Sequence, residues 1–465
     1  MALLREVSIS GRVIVLGAGL SGLSAGAMLA RRGVSVTVIE KDHKSGGLAS
    51  TFSQGPFLFD YGPHRFHTMN ESLLSSVKQL LGDDLSTLQR RSRIRLLDRY
   101  FDYPLALGNV LSSMPFRDGI TMMAGFTWEK LRGFISPREQ KSFEGWVLSR
   151  FGRPLYDMYF SPYNLKLWGL PPFELSADWA SQRITVPSLA GLVKETLFPS
   201  GKVRSLAGEF HYPRGGIGRI AEAMEEEIRS LGGELLFGSA ADAITRAGTG
   251  WEVAAGGNRV QGEWIINTVP LNEFAGLLGS LLPEPVHNAS KELSFRSLVF
   301  LAVLLNGDSR ASDHWIYTSE DRYLFNRLSL SRSFDREMPS QAIFEFSCQK
   351  GDKLWNADRE ELLGNALKGA EHLSLFKPDM ARDSITVRQE HAYPIYRIGY
   401  REAAGVVLDG IKSLRGLVSC GRQGLFRYNN MDHSIEMGQC AALEVLGEGS
   451  VEDRFHWGEG TWADG

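Results

Sequence analysis

Cysteine is nearly absent: Cys348, Cys420 and Cys440 are the only three in 465 residues. They are odd in number and far apart, which argues against a disulfide scaffold or a zinc knuckle, and a reducing cytoplasm is the expected compartment. An excess of one charge is also missing. Lys and Arg number 51 against 54 Asp and Glu, a net of −3. No basic nucleic-acid-binding surface is implied, although a local basic pocket is compatible with that balance. No long apolar run suggests a membrane span. Residues 13–30 carry no charge, but four glycines and two serines interrupt them, and MALLREVSIS is no basic leader. The run Leu298–Leu305 is too short to cross a bilayer. Internal repeats, low-complexity linkers, a Walker loop, a zinc pattern and a Ser/His/Asp order are all missing. Glycine, in contrast, is plentiful at 50 residues, above the usual share of roughly 7%. That excess points to tight turns and close backbone–ligand approaches. The length suggests about three domain equivalents with ample core.

Along the chain, residues 11–40 read as strand, helix, strand. Residues 105–200 carry helical apolar spacing in GNVLSSM, WEKLRGF, FEGWVLSRFG and LYDMYF. Residues 250–350 alternate like strands, and 217–231 form a helix with a solvated acidic face. GLVSCGRQG and HSIEMGQCAALEVLG return to a strand and a helix near the end. The α/β material thus lies at the start, near 205–270 and at the end. A nucleotide domain split by inserted layers accounts for that distribution.

RVIVLGAGLSGLSAGAMLARRGVSVTVIEKD carries the most information. Val13 to Leu16 form a strand, a helix runs on through Arg32, and VSVTVIE is the second strand. Gly17 permits the turn out of the first strand. Gly19 keeps side chains off a pyrophosphate, and Gly22 lets helix and strand pack closely. The helix N-terminus offers N–H groups to phosphates. Glu40, 18 residues after Gly22, can accept from ribose hydroxyls and would repel a 2′-phosphate. A second glycine pair follows in Ser45-Gly46-Gly47-Leu48-Ala49-Ser50-Thr51, then FLFDYGPHRFH as a strand ending in a Gly62-Pro63 turn. A second backbone turn suits the long ribityl–pyrophosphate stretch of FAD better than NAD.

GAGLSGLSAGAMLARRG, EKDHKSGGLAST and FDYGPHRFH together resemble the amine-oxidase-type flavoprotein superfamily, which includes protoporphyrinogen oxidases. RYFDYPL, SPYNLKLWGLPPFEL with Gln182-Arg183, FHYPRGGIGRI, HWIYTSEDRYLFNR, HAYPIYR and GRQGLFRYNNMDHSIEMG are similar, in order, to UDP-galactopyranose mutases of the longer form. The resemblance implies an α/β fold: a Rossmann-type split FAD-binding domain with an inserted helical domain and an antiparallel β-sheet domain. The corresponding boundaries are 1–98, 205–270 and 410–447 for the FAD domain, 105–204 for the helical domain, and 99–104 with 271–409 for the sheet domain. A loosely ordered tail covers 448–465. The implied activity interconverts pyranose and furanose forms of a UDP-sugar through a bond between the sugar and N5 of reduced FAD. NAD(P)H or another external reductant would reduce the flavin.

By the same resemblance, Arg183 and Arg327 match diphosphate-binding arginines, and Tyr317, Tyr393 and Tyr428 match tyrosines of the diphosphate region. Tyr103, Asn164 and Trp168 match substrate-pocket positions. His64 matches a histidine beside the flavin and joins Arg183 and Arg327 in the expected catalytic set. Arg422, after Gly421, matches a residue near the isoalloxazine or its phosphates. The expected cofactor-binding set is Gly17, Gly19, Leu20, Ser21, Gly22, Glu40, Lys41, Gly46, Gly47, Leu48, His64, Gly421, Arg422, Met431 and Asp432. Residues 184–209 have the Gly, Pro and Ser breaks of a substrate-closing flap. One departure is Gly62-Pro63-His64, where the family usually has Gly-Gly-His, and proline removes an N–H there. Another is LSLSRSFDRE after Arg327, which does not follow the family closely and bears on sugar specificity.

Plainer readings stand beside these. His64 and His67, with His43 as a third ligand, suggest a metal, but three-residue spacing on a strand points to opposite faces, so no metal is expected. Tyr156, Tyr159, Phe160 and Tyr163 read as packing, His391 and His433 as structural, and Lys166 as solvated. The rival class is an oxidase or dehydrogenase using oxidised FAD on a small organic substrate. A flavin-binding protein without catalysis of its own is a third reading. A small-molecule UDP-sugar is the expected partner, with no nucleic acid and no integral membrane segment; an oligomer is compatible.

Overall fold

The computed structural model describes residues 11–103, 116–135, 139–183 and 208–452. Strands Val13–Leu16 and Val36–Ile39 are buried throughout. Continuous apolar runs of that kind belong in a parallel sheet covered on both faces. Both strands sit in a five-stranded sheet, in spatial order Leu417–Ser419, Trp264–Asn267, Val13–Leu16, Val36–Ile39 and Glu234–Leu236, every pairing parallel. Alternation along the first strand divides the core. Val13 and Val15 face helices Leu20–Arg31, Arg219–Ser230 and Met431–Val445. Ile14 and Leu16 face a three-stranded antiparallel sheet spanning Ala241–Gly262 and helices Leu271–Leu278, Glu284–Glu292 and Tyr400–Lys412.

The second large sheet has seven strands, in order Ala381–Pro394, Phe295–Leu305, Gln341–Cys348, Arg327–Leu330, Trp315–Thr318, Ser92–Leu96 and Arg99–Asp102. All pairs are antiparallel except Trp315–Thr318 with Ser92–Leu96, which is parallel. Strand Phe295–Leu305 is buried along its whole length because both faces are covered. Leu298, Phe300 and Ala302 meet helices Phe143–Leu155 and Ser161–Trp168, while Val299, Leu301 and Val303 meet helix Arg359–His372. The helical layer bends sharply at Gly152 (φ +79°), two residues before Pro154, where the chain crosses helix Phe116–Ile135.

Two parts of the expected partition differ from this arrangement. Residues 92–96, expected with the nucleotide domain, are a strand of the seven-stranded sheet. Helices Leu271–Leu278, Glu284–Glu292 and Tyr400–Lys412, expected with the substrate sheet, pack on the parallel sheet, because their apolar faces match its outer side. GNVLSSM, the segment 184–207 of the expected flap and tail residues 453–465 lie outside the described residues. Among the described residues no helix is long and apolar enough to cross a membrane, and Cys348, Cys420 and Cys440 are buried.

Candidate active site

The glycine turn comes first. Gly17 has φ +98°, and a Cβ there would meet Thr268 Oγ1 at 2.4 Å. A Cβ on Gly22 would lie 1.9 Å from the carbonyl oxygen of Gly17, so helix and turn touch backbone to backbone. Gly19 is different: its backbone is extended (φ −73°), and a Cβ would meet nothing within 4 Å. Helix Leu20–Arg31 therefore opens onto empty space, and no side chain caps it. Gly46 and Gly47, both at positive φ, lie alongside; Gly46 N donates to Ala18 O at 2.8 Å. Glu40 closes the turn, its carboxylate accepting from Ala18 N (2.6 Å) and Asp42 N (2.9 Å). Burial raises its pKa against the pull of those two amides. Lys41 follows it on the surface, and Leu48 packs at the edge of the aromatic core.

Ser21, just inside helix Leu20–Arg31, is where the last segment of chain returns. A Cβ on Gly421 would meet its Oγ at 2.6 Å, and one on Gly438 its backbone oxygen at 2.1 Å. Met431 and Asp432 open the final helix behind an Asn430–His433 capping box, and burial pushes Asp432 up to about 6. Open space over an uncapped helix N-terminus, flanked by two glycine turns, fits the pyrophosphate of a dinucleotide. Among the described residues no group of three or more His, Cys, Asp or Glu side chains could hold a metal.

The Gly62-Pro63-His64 departure has a local explanation. Gly62 N donates to Asp60 O and His64 N donates to Gly62 O, each at 2.8 Å, two successive three-residue turns. Pro63 is the middle residue of the second, where no N–H is required. Gly62 has φ +95°, and a Cβ would sit 3.0 Å from Glu345 Oε2 and 3.1 Å from Arg327 Nη2. His64 Nδ1 is buried without a hydrogen-bond partner. Burial, then the charges of Arg422, Arg327 and Arg65, push its pKa down to about 3. The ring is neutral throughout the physiological range.

Arg327 is the fixed cation beside it. Its Nη2 and Nε donate to Glu345 Oε2 at 2.5 and 3.1 Å, and Nη2 also reaches the Tyr393 hydroxyl at 3.3 Å. Arg327 and Glu345 are cross-strand partners, and Arg327 also faces Tyr317 across the hairpin. Burial disfavours the guanidinium, but Glu345, Tyr393 and Tyr317 outweigh it and hold the pKa well above the ordinary arginine value. Arg327 lies 5.8 Å from the Tyr317 ring, which packs on Tyr103 at 4.8 Å. Arg422 lies 4.8 Å from the Tyr428 ring and donates to Asn429 O at 2.5 Å.

An aromatic ring closes the site. Trp168 meets Trp179 (4.7 Å), Trp179 meets Tyr428 (4.9 Å), Tyr428 stacks on Tyr393 (5.3 Å), and Tyr393 returns to Trp168 (6.1 Å). Asn164 and Trp168 are nearly fully buried, yet Asn164 Oδ1 and Trp168 Nε1 have no partner. Such orphaned buried groups call for a partner, which a water or a ligand can supply. Tyr103, Trp168, Tyr317, Arg327, Tyr393, Tyr428, His64 and Arg422 are thus linked, and Asn164 sits one turn from Trp168 on the same helix. Arg183 ends helix Ala177–Arg183, which carries Trp179, and its side chain lies outside the described residues.

Lys166 is not solvated as expected. Its Nζ donates to Glu320 O (2.6 Å) and Tyr323 O (2.8 Å). A helical wheel places it off the Asn164–Trp168 face but says nothing of the loop that approaches from the other side. Trp179 and Glu345 were not anticipated; Trp179, four residues before Arg183 on one helix, was the legible one.

A parallel sheet with this glycine turn, joined to a second sheet bearing a carboxylate-held cation and tyrosines, defines a flavin-binding α/β enzyme class. The chain belongs to the flavin containing amine oxidoreductase family, whose profile matches residues 20–369. It is 29% identical over 169 residues to a probable UDP-galactopyranose mutase of Klebsiella pneumoniae, covering 36% of this chain and 43% of that one. It is 23% identical over 443 residues to coproporphyrinogen III oxidase of Propionibacterium freudenreichii subsp. freudenreichii, covering 85% and 83%. The structure of a reduced UDP-galactopyranose mutase superposes with a TM-score of 0.83 at 23% identity, over 94% of this chain and 96% of that one. The chain thus matches less than half the length of the Klebsiella mutase in sequence, and the structural likeness shows the shared fold.

Proposed function

We propose that the protein is a flavin-dependent mutase that interconverts the pyranose and furanose forms of a UDP-sugar of the galactose type. The observation that carries the reading is Arg327, a partly exposed side chain (18%) whose guanidinium is oriented by Glu345 and Tyr393 within a tyrosine-lined site. A preorganised planar cation suits a leaving diphosphate, since its fork matches phosphate oxygens. Tyr317, Tyr393 and Tyr428 supply hydroxyls to the same oxygens, and Arg183 is proposed as a second cation. Asn164 Oδ1 and Trp168 Nε1 take up polar groups of the nucleotide-sugar. Neutral His64 supports the loop at the cofactor without adding positive charge. Gly17, Gly19, Gly22, Glu40, Gly46 and Gly47 would hold FAD, which, when bound and reduced by NAD(P)H or another reductant, supplies a nucleophilic nitrogen at the sugar's anomeric carbon.

The test is anaerobic. Dithionite-reduced protein is given UDP-galactofuranose and the mixture is chromatographed for the pyranose. Conversion is expected with reduced protein and not with oxidised protein. The long match to coproporphyrinogen III oxidase favours a second reading, oxidation of a small organic substrate. Peroxide release with a porphyrinogen or amine, and no isomerisation, would establish that reading instead.

A further inference from the structure

Lys166 lies between Asn164 and Trp168 on helix Ser161–Trp168, but its ammonium points to a different part of the fold. The carbonyls it engages, Glu320 O and Tyr323 O, belong to the loop connecting Tyr317 to Arg327. A second cation holds the same end of the helix. Arg296, 7% exposed, donates from Nε to Leu167 O (2.8 Å), and from Nη2 to Lys166 O (3.3 Å) and Ser347 O (3.1 Å). A Cβ on Gly169 (φ +67°) would fall 2.6 Å from Arg296 Nη1, so this close approach requires glycine. From Ser347 the bonds run on toward Arg327. Ser347 N and Oγ donate to Asn326 Oδ1 (3.2 and 3.0 Å), Asn326 Nδ2 donates to Glu345 Oε1 (3.2 Å), and Glu345 Oε2 holds Arg327. Among the described residues neither Lys166 nor Arg296 has a carboxylate within ion-pair distance; both give their donors to main-chain oxygens.

Cations withdrawn from water without a carboxylate at ion-pair distance are an expensive way to fasten a helix. Burial pushes Lys166 down to about 8. Their bonds run from the helix bearing Asn164 and Trp168 to the hairpin and neighbouring strand that place Arg327. We propose that Lys166 is a positioning residue: it fixes the Tyr317–Arg327 hairpin against helix Ser161–Trp168 and so sets the spacing between the cation and the aromatic wall of the cleft. This rests on the reading of the cleft as a nucleotide-diphosphate site.

Lys166→Met keeps the length of the stem and removes both bonds. UDP binding is measured by calorimetry for wild type, Lys166→Met, Arg327→Ala and the double variant. An action through the placement of Arg327 raises the UDP Kd about tenfold in the wild-type background and by less than about twofold when Arg327 is already gone. Equal factors in the two backgrounds would overturn the proposal. Lys166→Arg, which can reach the same carbonyls, is expected to recover most of the affinity. The ligand-free readout is hydrogen exchange. Peptides covering 315–330 exchange faster in Lys166→Met while those covering 13–31 do not; unchanged exchange in 315–330 also overturns it. If wild type does not bind UDP, the functional reading fails by itself and the exchange result still decides the positioning claim. Lys166→Gln replaces the methionine variant if that one does not fold, with the same outcomes.

Discussion

Replacing Arg327 by alanine removes the cation of the candidate site and also strands its partner. A charge-assisted bond from arginine to a phosphate oxygen contributes roughly 1.5–3 kcal/mol, so the UDP Kd should rise about 10- to 150-fold. The geometry adds a second effect. Glu345 is 2% exposed and takes two of its three side-chain hydrogen bonds from Arg327. Leaving that carboxylate buried and unpaired should cost about 3–5 kcal/mol of stability. Arg327→Ala combined with Glu345→Gln separates the two effects, because the neutral amide can still accept from Asn326. The double variant is expected to regain thermal stability over Arg327→Ala without regaining UDP affinity. Calorimetric titration with UDP and thermal melts on flavin-loaded protein read both quantities, and flavin content should stay that of wild type. An unchanged Kd in Arg327→Ala, or wild-type affinity in the double variant, would refute the argument that this guanidinium receives the diphosphate.

Two further outcomes follow from the geometry. Gly19→Ala adds a methyl that meets no protein atom, so the apoprotein should melt as wild type does while flavin content falls; Gly22→Ala drives a Cβ to 1.9 Å from Gly17 O and should lower the melting temperature of the apoprotein itself. Asp60 is pushed from 3.8 up to about 6, chiefly by burial. An acid whose native pKa is raised contributes stability that is complete below about pH 3.8 and lost as pH rises to about 6. The Asp60→Asn protein should therefore lack that part of the pH dependence, a difference of roughly 3 kcal/mol by the linkage relation. Urea melts of both proteins at pH 4 and pH 7 check it, and parallel curves would contradict the assignment.

The nucleotide half was legible because its signal is local. Gly17, Gly19 and Gly22 sit within six residues, and the role of each depends on the strand and helix they join. That Asn164 and Trp168 share a helix face was legible from their four-residue spacing, whereas their assignment to the substrate pocket came only from the family resemblance. Glu345 was not, because its partnership with Arg327 depends on the register of two antiparallel strands, which side-chain spacing along one strand does not specify. The carbonyls that hold Lys166 were hidden in the same way, since they come from a loop distant in sequence. The helices at 271–292 and 400–412 were not read as helices; both spans were assigned to the substrate sheet, and the sheet they in fact cover is a property of the whole fold.

The parallel sheet carries a consequence for how the cofactor is acquired. Its edge strand, Leu417–Ser419, and the helix backing the glycine turn, Met431–Val445, are among the last parts of the described chain to leave the ribosome. A nascent polypeptide that has emerged as far as residue 400 carries the glycine turn but not the wall behind it, since Gly421 and Gly438 have yet to arrive against Ser21. A message cut short before the final helix is therefore expected to yield a product that binds no flavin, since the wall behind the glycine turn is missing.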